Sequence, residues 1–224
     1  YGYLQGVWVR SEENPIDLSD EKSFLDYISN VDSACYESDL KYFRWNTVLD
    51  FQGKDETLLH TIADRKEHQP EAISYYKDAS KTEKTDSCSN FGSLQAIKVV
   101  KRNQSGVILE LELDFQNGAV SVQSEYNMRA ILGCGITNIN LLDGSSVEMS
   151  ILPSAYISIQ AKGDGTYAVL GGGYGHGIGM SQNGAQKLCG QGFDYKRILN
   201  YFYQDTELTE LYQPQNVTKE EGGA

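Results

Sequence analysis

The chain has 224 residues, 40% of them hydrophobic and 22% charged, which is enough to bury one good core or two small ones without metal or disulfide staples. Its net charge of −12, from 31 acidic and 19 basic residues, disfavours anionic lipid head groups and excludes nucleic acid as a partner. No apolar run approaches the roughly 20 residues that cross a bilayer, and no signal peptide opens the chain. Because it begins at Tyr1 without an initiating Met, we expect a piece of a longer protein.

Four cysteines are spread over the chain and form no metal-binding pattern. They are Cys35, Cys88, Cys134 and Cys189, with no C-x-x-C pair and no histidine pair nearby. Zinc sites need such paired ligands, so we expect neither a metal nor another cofactor. The thiols are either free and buried or joined in up to two disulfides, and the spacing leaves both arrangements open.

Residues 1–92 are predicted to form a helical, loop-rich portion that packs on the core. Ser19 stands where a helix N-cap belongs, and acidic residues follow it in the first turn. The apolar residues of this helix recur on one face: Phe24, Leu25 and Ile28. A second helix is expected from about Asp55, whereas residues 64–90 are polar and predict a long surface excursion.

Residues 93–212 are predicted to form a β-rich core. Across residues 107–115, apolar side chains at every second position alternate with mostly acidic ones, which predicts a half-buried strand with one face in water. The Asn-Gly pair at 117–118 predicts a turn into a second strand, and residues 94–101 are expected to pair alongside. A short helix is expected over residues 126–132.

The C-terminal third is predicted to contain one more hairpin and two helices. Residues 155–160 and 166–170 form the hairpin around a Gly-Asp-Gly turn. Ser181 is expected to cap the first helix and Asp194 the second, and residues 213–224 are expected to be disordered. The residues expected to face inward from the second helix are Ile198, Leu199 and Phe202. Together these elements predict a strand-rich α+β fold with antiparallel hairpins, short peripheral helices and a C-terminal helical pair.

The most unusual stretch is the run from Gly171 to Gly179, which holds six glycines in nine positions around Tyr174 and His176. Glycine loses more chain entropy on folding than any other residue, so such a density indicates backbone that takes positive φ or approaches something closely. The glycines expected to be required in this way are Gly173, Gly175, Gly177 and Gly179. Their alternation predicts a strand with one bare face, from whose other face Tyr174 and His176 project.

This glycine run is compatible with several kinds of site. His176 is either a hydrogen-bonded core residue at a tight crossing of strands or a member of a binding site, and the glycines favour the site. Gln182 and Asn183 either contact a substrate or satisfy local backbone groups. A dinucleotide-binding loop is excluded because no ribose-binding acid follows in a βαβ frame, and a P-loop because Gly-Lys-Ser/Thr is missing. A serine hydrolase pair of Ser181 and His176 remains open, although the second glycine of the nucleophile elbow is missing.

Residues 171–208, GGGYGHGIGMSQNGAQKLCGQGFDYKRILNYFYQDTEL, resemble the C-terminal signature of the stage II sporulation protein D/LytB family. That signature reads G-x-G-[YW]-G-H-G-V-G-M-S-Q-x-G-A, followed by a glycine, a Tyr-x-x-Ile-Leu helix and a Tyr-Tyr-x-x-Thr-x-Leu end. The chain departs from it at Ile178, which replaces valine, and at Phe202, which replaces the first tyrosine. Looser matches lie upstream, at residues 5–7, 43–45, 105–107 and 129–133.

The resemblance implies a peptidoglycan protein outside the cytoplasm, in the cell wall or the intermembrane space of the sporangium, with the full-length protein anchored in a membrane. Sporulation members of the family are lytic transglycosylases that cleave glycan strands stripped of stem peptides, and LytB members enhance a wall amidase. The implied partners are therefore peptidoglycan glycan strands, together with a cell-wall amidase or another sporulation protein. The residues expected to bind glycan are Tyr174, His176, Ser181, Gln182 and Arg129.

One feature of the family is missing from the chain. The family's catalytic acid is a glutamate near the N-terminus, in a helix of the type E-x-L-K-A-Q-A-V-A-x-R-T-Y-A, and no such segment occurs here. We therefore expect the acid upstream of Tyr1, and an isolated chain without cleavage activity. Glu125 and Glu148 are the candidate substitutes within the chain. The alternative function is a non-catalytic LytB-like module that binds the wall and enhances a partner amidase.

Overall fold

The computed structural model describes residues 16–209, whose helices and strands confirm a strand-rich α+β fold with a C-terminal helical pair. The helices are α1 (Glu21–Ile28), α2 (Asp55–His68), α3 (Glu125–Gly133), α4 (Gln182–Gly190) and α5 (Tyr195–Phe202), with a 3-10 turn at Pro70–Ala72. The strands are β1 (Trp45–Asp50), β2 (Ile73–Tyr76), β3 (Lys84–Thr85), β4 (Leu94–Arg102), β5 (Ile108–Phe115), β6 (Gly118–Val122), β7 (Ile139–Leu141), β8 (Ser146–Val147), β9 (Ile157–Ala161) and β10 (Thr166–Gly171). Residues 5–7 and the predicted tail at 213–224 lie outside the described residues. None of these five helices is both long and apolar enough to cross a membrane.

The strands form two antiparallel sheets of five strands each, in the orders β8-β7-β1-β10-β9 and β3-β2-β6-β5-β4. The predicted hairpins β5–β6 and β9–β10 are confirmed. Each sheet contains strands from both sides of residue 92, the predicted boundary between the N-terminal portion and the β-rich core. β1 of the first sheet and β2 and β3 of the second sheet precede this residue. In the first sheet β1 is central and pairs with β10 along its whole length, from Trp45 opposite Gly171 to Asp50 opposite Thr166. Since β10 leads into the glycine run, this pairing fixes where that run begins.

One hydrophobic cluster joins both sheets to α2 and α3. Its fully buried members include Leu49 from the first sheet, Leu113 from the second, Leu58 from α2 and Ile131 from α3. Two smaller clusters are separate from it, one around α1 and one between α4 and α5. The buried residues of the last cluster are Leu188, Ile198 and Phe202, whereas Leu199 is only partly buried. The C-terminal helices therefore have a small core of their own next to the first sheet's glycine run.

The cap of α1 differs from the prediction. Asp20, and not Ser19, is the N-cap residue, and its Oδ1 accepts a hydrogen bond from the backbone N–H of Ser23 at 2.9 Å. An aspartate satisfies the exposed amide and also places a negative charge at the positive end of the helix dipole. The prediction of Ser19 as the cap is therefore wrong by one residue.

The prediction of a surface excursion over residues 64–90 is also wrong. This stretch completes α2 and then supplies β2, which lies between β3 and β6 in the second sheet. Ile73 and Tyr75 point into the core from β2 and are buried. Only two alternating apolar residues carry this short strand, so its polar neighbours concealed it in the sequence.

The face of β5 predicted to be wet is buried towards the end of the strand. Glu112 and Asp114 are only 5% and 8% exposed. Lysines from neighbouring elements cover them: the Nζ of Lys81 lies 2.7 Å from Glu112 and 3.0 Å from Glu110, and Lys98 bonds to Asp114. The hydrogen bond to Glu112 raises the pKa of Lys81 to about 12. Buried charges persist when they are paired, which explains how acidic residues occupy a covered sheet face.

Arg102 ties α1 to both sheets. Its side chain has no exposed surface, and its guanidinium lies over the ring of Phe24, 3.7 Å from the ring centre. Nη1 donates to the carbonyl oxygen of Gly106 at 2.8 Å, and Nη2 donates to the carbonyl oxygen of Ile157 at 2.7 Å. The carboxylate of Glu21 pairs with the guanidinium from α1. One buried cation thus binds two carbonyl groups from different parts of the chain and pairs with one acid.

Replacing Arg102 should therefore destabilise the whole fold. We expect Arg102→Met to lower the free energy of unfolding by about 3 kcal/mol, because it leaves buried carbonyl groups without donors. The measurement is urea unfolding followed by circular dichroism. Lys101→Met, at the exposed neighbouring position of β4, is the control and should change stability by less than about 0.5 kcal/mol. Equal losses in the two variants would contradict this role for Arg102.

Candidate functional site

The sequence predicted that the glycine run is a strand, and this prediction is wrong. β10 ends at Gly171, and residues 172–180, here called the glycine loop, form an irregular loop. Its alternate glycines all have positive φ, +76° at Gly173, +119° at Gly175, +70° at Gly177 and +95° at Gly179. Side chains with a Cβ rarely adopt such angles, and extended strands need negative φ. The alternation therefore reverses the backbone at every second residue and produces a loop in place of a strand.

Trp45 holds the start of the loop. Its indole ring lies directly on Gly171, where a Cβ would come within 2.2 Å of a ring carbon. Its Nε1 donates to the carbonyl oxygen of Gly173 at 3.0 Å, and the amide of Gly173 donates to the carbonyl oxygen of Tyr42 at 2.8 Å. Both polar groups of Gly173 are thus bound to the segment that enters β1.

The other side of the loop rests on residues 152–154, the support segment. The amide of Gly175 donates to the carbonyl oxygen of Pro153 at 2.9 Å. The hydroxyl of Ser154 donates to the carbonyl oxygen of Gly172 at 2.7 Å. Arg129 stands behind this segment, because its Nε donates to the carbonyl oxygen of Leu152 at 2.8 Å.

Arg129 is therefore placed differently from the other predicted ligand-binding residues. Its side chain is only 12% exposed, and Nη1 lies 3.2 Å from the carboxylate of Glu125 on the same helix. The structure gives Arg129 partners within the protein and a supporting position. Direct contact of Arg129 with a ligand stays a prediction.

Tyr174 is strongly exposed, with 65% of its surface accessible. Its ring packs on that of Tyr42, with 4.7 Å between the centroids and 51° between the planes. The Nζ of Lys41 lies 5.3 Å from the centre of the Tyr42 ring. Two tyrosines from distant parts of the chain therefore form one aromatic surface that is open to solvent.

His176 is exposed, so the interpretation of it as a core histidine is wrong. The backbone N–H of Ile178 donates to its Nδ1 at 2.8 Å. A backbone N–H cannot accept a hydrogen bond, so Nδ1 must be the acceptor and the neutral ring carries its hydrogen on Nε2. The loop thus presents an imidazole whose second nitrogen is a hydrogen-bond donor.

Ser181 caps α4 as predicted, and an unpredicted acid joins it there. The hydroxyl of Ser181 accepts from the amide of Gly184 at 3.0 Å. Oε1 of Glu37 accepts from the same amide at 3.0 Å and also from the Ser181 hydroxyl. Gln182 and Asn183 are exposed on the first turn of the helix. Glu37 lies 144 residues before Ser181, and no motif in the sequence marks it.

These contacts do not form a serine hydrolase triad. In a triad the histidine donates from Nδ1 to an acid, whereas Nδ1 of His176 accepts from Ile178. The acid at this site, Glu37, contacts Ser181 directly. The site has hydrogen-bond donors and an aromatic surface, and no serine–histidine–acid triad passes through His176.

The two glutamates considered as substitutes for the catalytic acid lie outside the glycine loop. Glu125 is paired with Arg129, and Glu148 is exposed in a shallow depression with Thr137 and Met149. None of the four cysteines forms a disulfide. Within residues 16–209 no group of three or more histidine, cysteine and acidic side chains could hold a metal ion.

The family described as "Domain of unknown function (DUF8618)" matches residues 65–179, slightly more than half of the chain. The chain belongs to this family. The DUF8618 match runs from α2 to Gly179 and so contains Arg129, the support segment and nearly all of the glycine loop. Trp45, Glu37 and the two C-terminal helices lie outside it.

Two proteins of Bacillus subtilis (strain 168) are similar to this DUF8618 chain. The first is named "Amidase enhancer" and is 34% identical over 89 residues, 40% of this chain and 12% of that protein. The second is named "Stage II sporulation protein D" and is 36% identical over 76 residues, 34% of this chain and 22% of that protein. The chain therefore spans less than a quarter of either relative. The matches confirm the relationship to the stage II sporulation protein D/LytB family.

A methyl group at Gly171 should displace Trp45. We expect Gly171→Ala to lower the free energy of unfolding by about 2 kcal/mol, because the new Cβ overlaps the indole. Chemical denaturation measures the loss, and tryptophan fluorescence reports the displaced ring. Gly190→Ala at the end of α4 is the control, since nothing lies within 4 Å of its Cβ position, and its stability should stay equal or rise. Unchanged stability of Gly171→Ala would contradict the contact.

The hydrogen bond from Ile178 also determines the tautomer of His176. In ¹⁵N NMR spectra recorded with the His176 imidazole uncharged, we expect the ring to carry its hydrogen on Nε2 and to show an unprotonated Nδ1. The spectrum of His176→Gln assigns the signals, because the chain has only two other histidines, His60 and His68. A hydrogen on Nδ1 would rule out the loop geometry described above.

Proposed function

We propose that the glycine loop binds peptidoglycan glycan strands, as part of a lytic transglycosylase like stage II sporulation protein D, in sporulation or cell-wall remodelling. The observation that carries the proposal is the exposed ring of Tyr174, stacked on the partly buried Tyr42, in the same loop as an exposed histidine whose Nε2 is a hydrogen-bond donor. Tyrosine combines an apolar ring face with a polar hydroxyl, which suits the alternating C–H and O–H surfaces of a sugar. His176 supplies a hydrogen bond to a sugar oxygen.

Cleavage of a glycan strand requires an acid that this site does not supply. A lytic transglycosylase needs one carboxylic acid, which protonates the glycosidic oxygen and then accepts the proton of the attacking 6-hydroxyl of muramic acid. Glu125 is held by Arg129, and Oε1 of Glu37 already accepts two hydrogen bonds. We propose that the acid comes from another segment of a longer, membrane-anchored protein outside the cytoplasm. This chain then binds and orients the strand.

The second candidate function is a non-catalytic module that enhances a cell-wall amidase. The similarity to a protein named "Amidase enhancer" favours it. Two apolar side chains of the loop, Ile178 and Met180, are 52% and 37% exposed beside His176. Exposed apolar residues at the tip of a loop suit contact with a partner protein.

Glycan binding should depend on the two exposed loop residues. With glycan strands freed of stem peptides, we expect Tyr174→Ala and His176→Ala each to weaken binding about tenfold, or about 1.4 kcal/mol, with little change in melting temperature. The matched controls are Tyr195→Ala, an equally exposed tyrosine at 66%, and His68→Ala on α2. Both should bind as the unmodified chain does. Binding is measured by sedimentation with insoluble glycan and by calorimetry with soluble strands.

The outcomes separate the two functions. Equal binding by all four variants would contradict a glycan site at the loop. Stimulation of a wall amidase by a chain that binds no glycan would favour the enhancer module. Release of anhydro-muropeptides by the isolated chain would show that residues 1–224 contain the acid, contrary to our proposal.

A further inference from the structure

We infer that Glu37 is a positioning residue of the proposed glycan site, whose carboxylate fixes the C-terminal end of the glycine loop. The inference rests on the proposed function for its effect on binding. Its structural part, the anchoring of the loop, stands on the contacts of Glu37 alone.

The two halves of the loop are held unequally. Gly172, Gly173 and Gly175 are bound by the support segment and by residues 42–45. In the second half, the described contacts are the bond within the loop from Ile178 to His176 and a bond from the Met180 amide to the Tyr203 hydroxyl at 3.2 Å.

Packing adds little to the second half. Nothing lies within 4 Å of the Cβ position of Gly177, and at Gly179 the nearest atom is the hydroxyl oxygen of the same Tyr203, at 3.2 Å. Bare backbone with few contacts has many accessible conformations, so its shape depends on where its ends are fixed.

Glu37 fixes the second end. Oε1 accepts hydrogen bonds from the hydroxyl of Ser181, the residue that follows the loop, and from the amide of Gly184. Hydrogen bonds to an ionised group are roughly twice as strong as neutral ones, and the start of a helix favours a negative charge. The nearby pair of Asp39 and Lys187 at 3.0 Å is largely exposed and adds little.

Both ends of the loop are bound to the same stretch of chain, residues 36–45, here called the anchor segment. The carbonyl oxygen of Tyr42 binds the amide of Gly173 at the start, and Glu37 binds Ser181 at the end. The loop therefore spans two points whose separation is set by the anchor segment. His176 lies between Gly175, which the support segment holds, and Ser181, which Glu37 holds, so loss of the Glu37 contact should displace its imidazole.

The contacts of Glu37 are those of a positioning residue. Its Oε1 accepts from the hydroxyl of Ser181 and the amide of Gly184, both of which belong to the protein. Glu37 acts on the ligand through the residues it holds.

The test compares Glu37→Ala and Glu37→Gln with Asp194→Ala. Asp194 caps α5 in the same manner, accepting from the amide of Arg197 at 2.8 Å, and does not belong to the loop or the anchor segment. For each variant we would measure the melting temperature, the affinity for glycan strands freed of stem peptides, and amide hydrogen exchange at residues 176–184. Glutamine keeps an acceptor oxygen, so it is the conservative variant and a safeguard if Glu37→Ala fails to fold.

We expect Glu37→Ala to bind about tenfold more weakly, with faster exchange at residues 176–184, and Glu37→Gln to recover most of the affinity. Asp194→Ala should lower the melting temperature without changing affinity or exchange in the loop. Exchange in Glu37→Ala equal to that of the unmodified chain would overturn the inference, whether or not glycan binds. If exchange rises but Tyr174→Ala binds as well as the unmodified chain, the glycan function fails and the anchoring role of Glu37 stands.

Discussion

The contact between the indole of Trp45 and the bare backbone of Gly171 is the constraint on which the site depends. It occurs where the central strand of the first sheet, β1, pairs with the last residue of β10. An indole fits there only because Gly171 has no side chain, and the same ring then binds Gly173 through Nε1. The position of the glycine loop is thereby tied to the central strand of the first sheet, whose Trp45 and Leu49 are buried in the core.

The site is assembled from two stretches that are far apart in the sequence and adjacent in space. The glycine loop contributes the exposed phenol and imidazole, and the anchor segment contributes Tyr42 and the carboxylate of Glu37. The fold brings them together because β1 follows the anchor segment and β10 precedes the loop, and these strands are antiparallel neighbours. The proposed binding surface therefore follows from the topology of the first sheet. Under the proposed function, a glycan strand would lie over glycine backbone that the support segment holds through Gly172 and Gly175.

Several local features of the fold were predictable from the sequence, although the cap of α1 was misplaced by one residue and β2 was missed. The hairpin of β9 and β10 and the caps Ser181 and Asp194 depend on residues a few positions apart, so their patterns are visible in the sequence. The density of glycine correctly indicated positive φ, but it did not show that four reversals in a row exclude a strand. Glu37 has no local signal, because its role arises from a contact across 144 positions. The burial of Glu112 was missed for the same reason, since its partner Lys81 lies in the connection between β2 and β3.

The most direct measurement of the central claim is an NMR titration of the ¹⁵N-labelled chain with soluble glycan strands freed of stem peptides. We expect the chemical shifts that change to belong to the anchor segment and to residues 171–184, with the largest changes at Tyr174 and His176. A contrary result would be changes confined to another surface, such as the polar depression between Lys77, Asn90 and Asn117 at the far end of the β5–β6 hairpin. In that case the glycine loop would be a structural feature of the first sheet and the glycan would bind elsewhere.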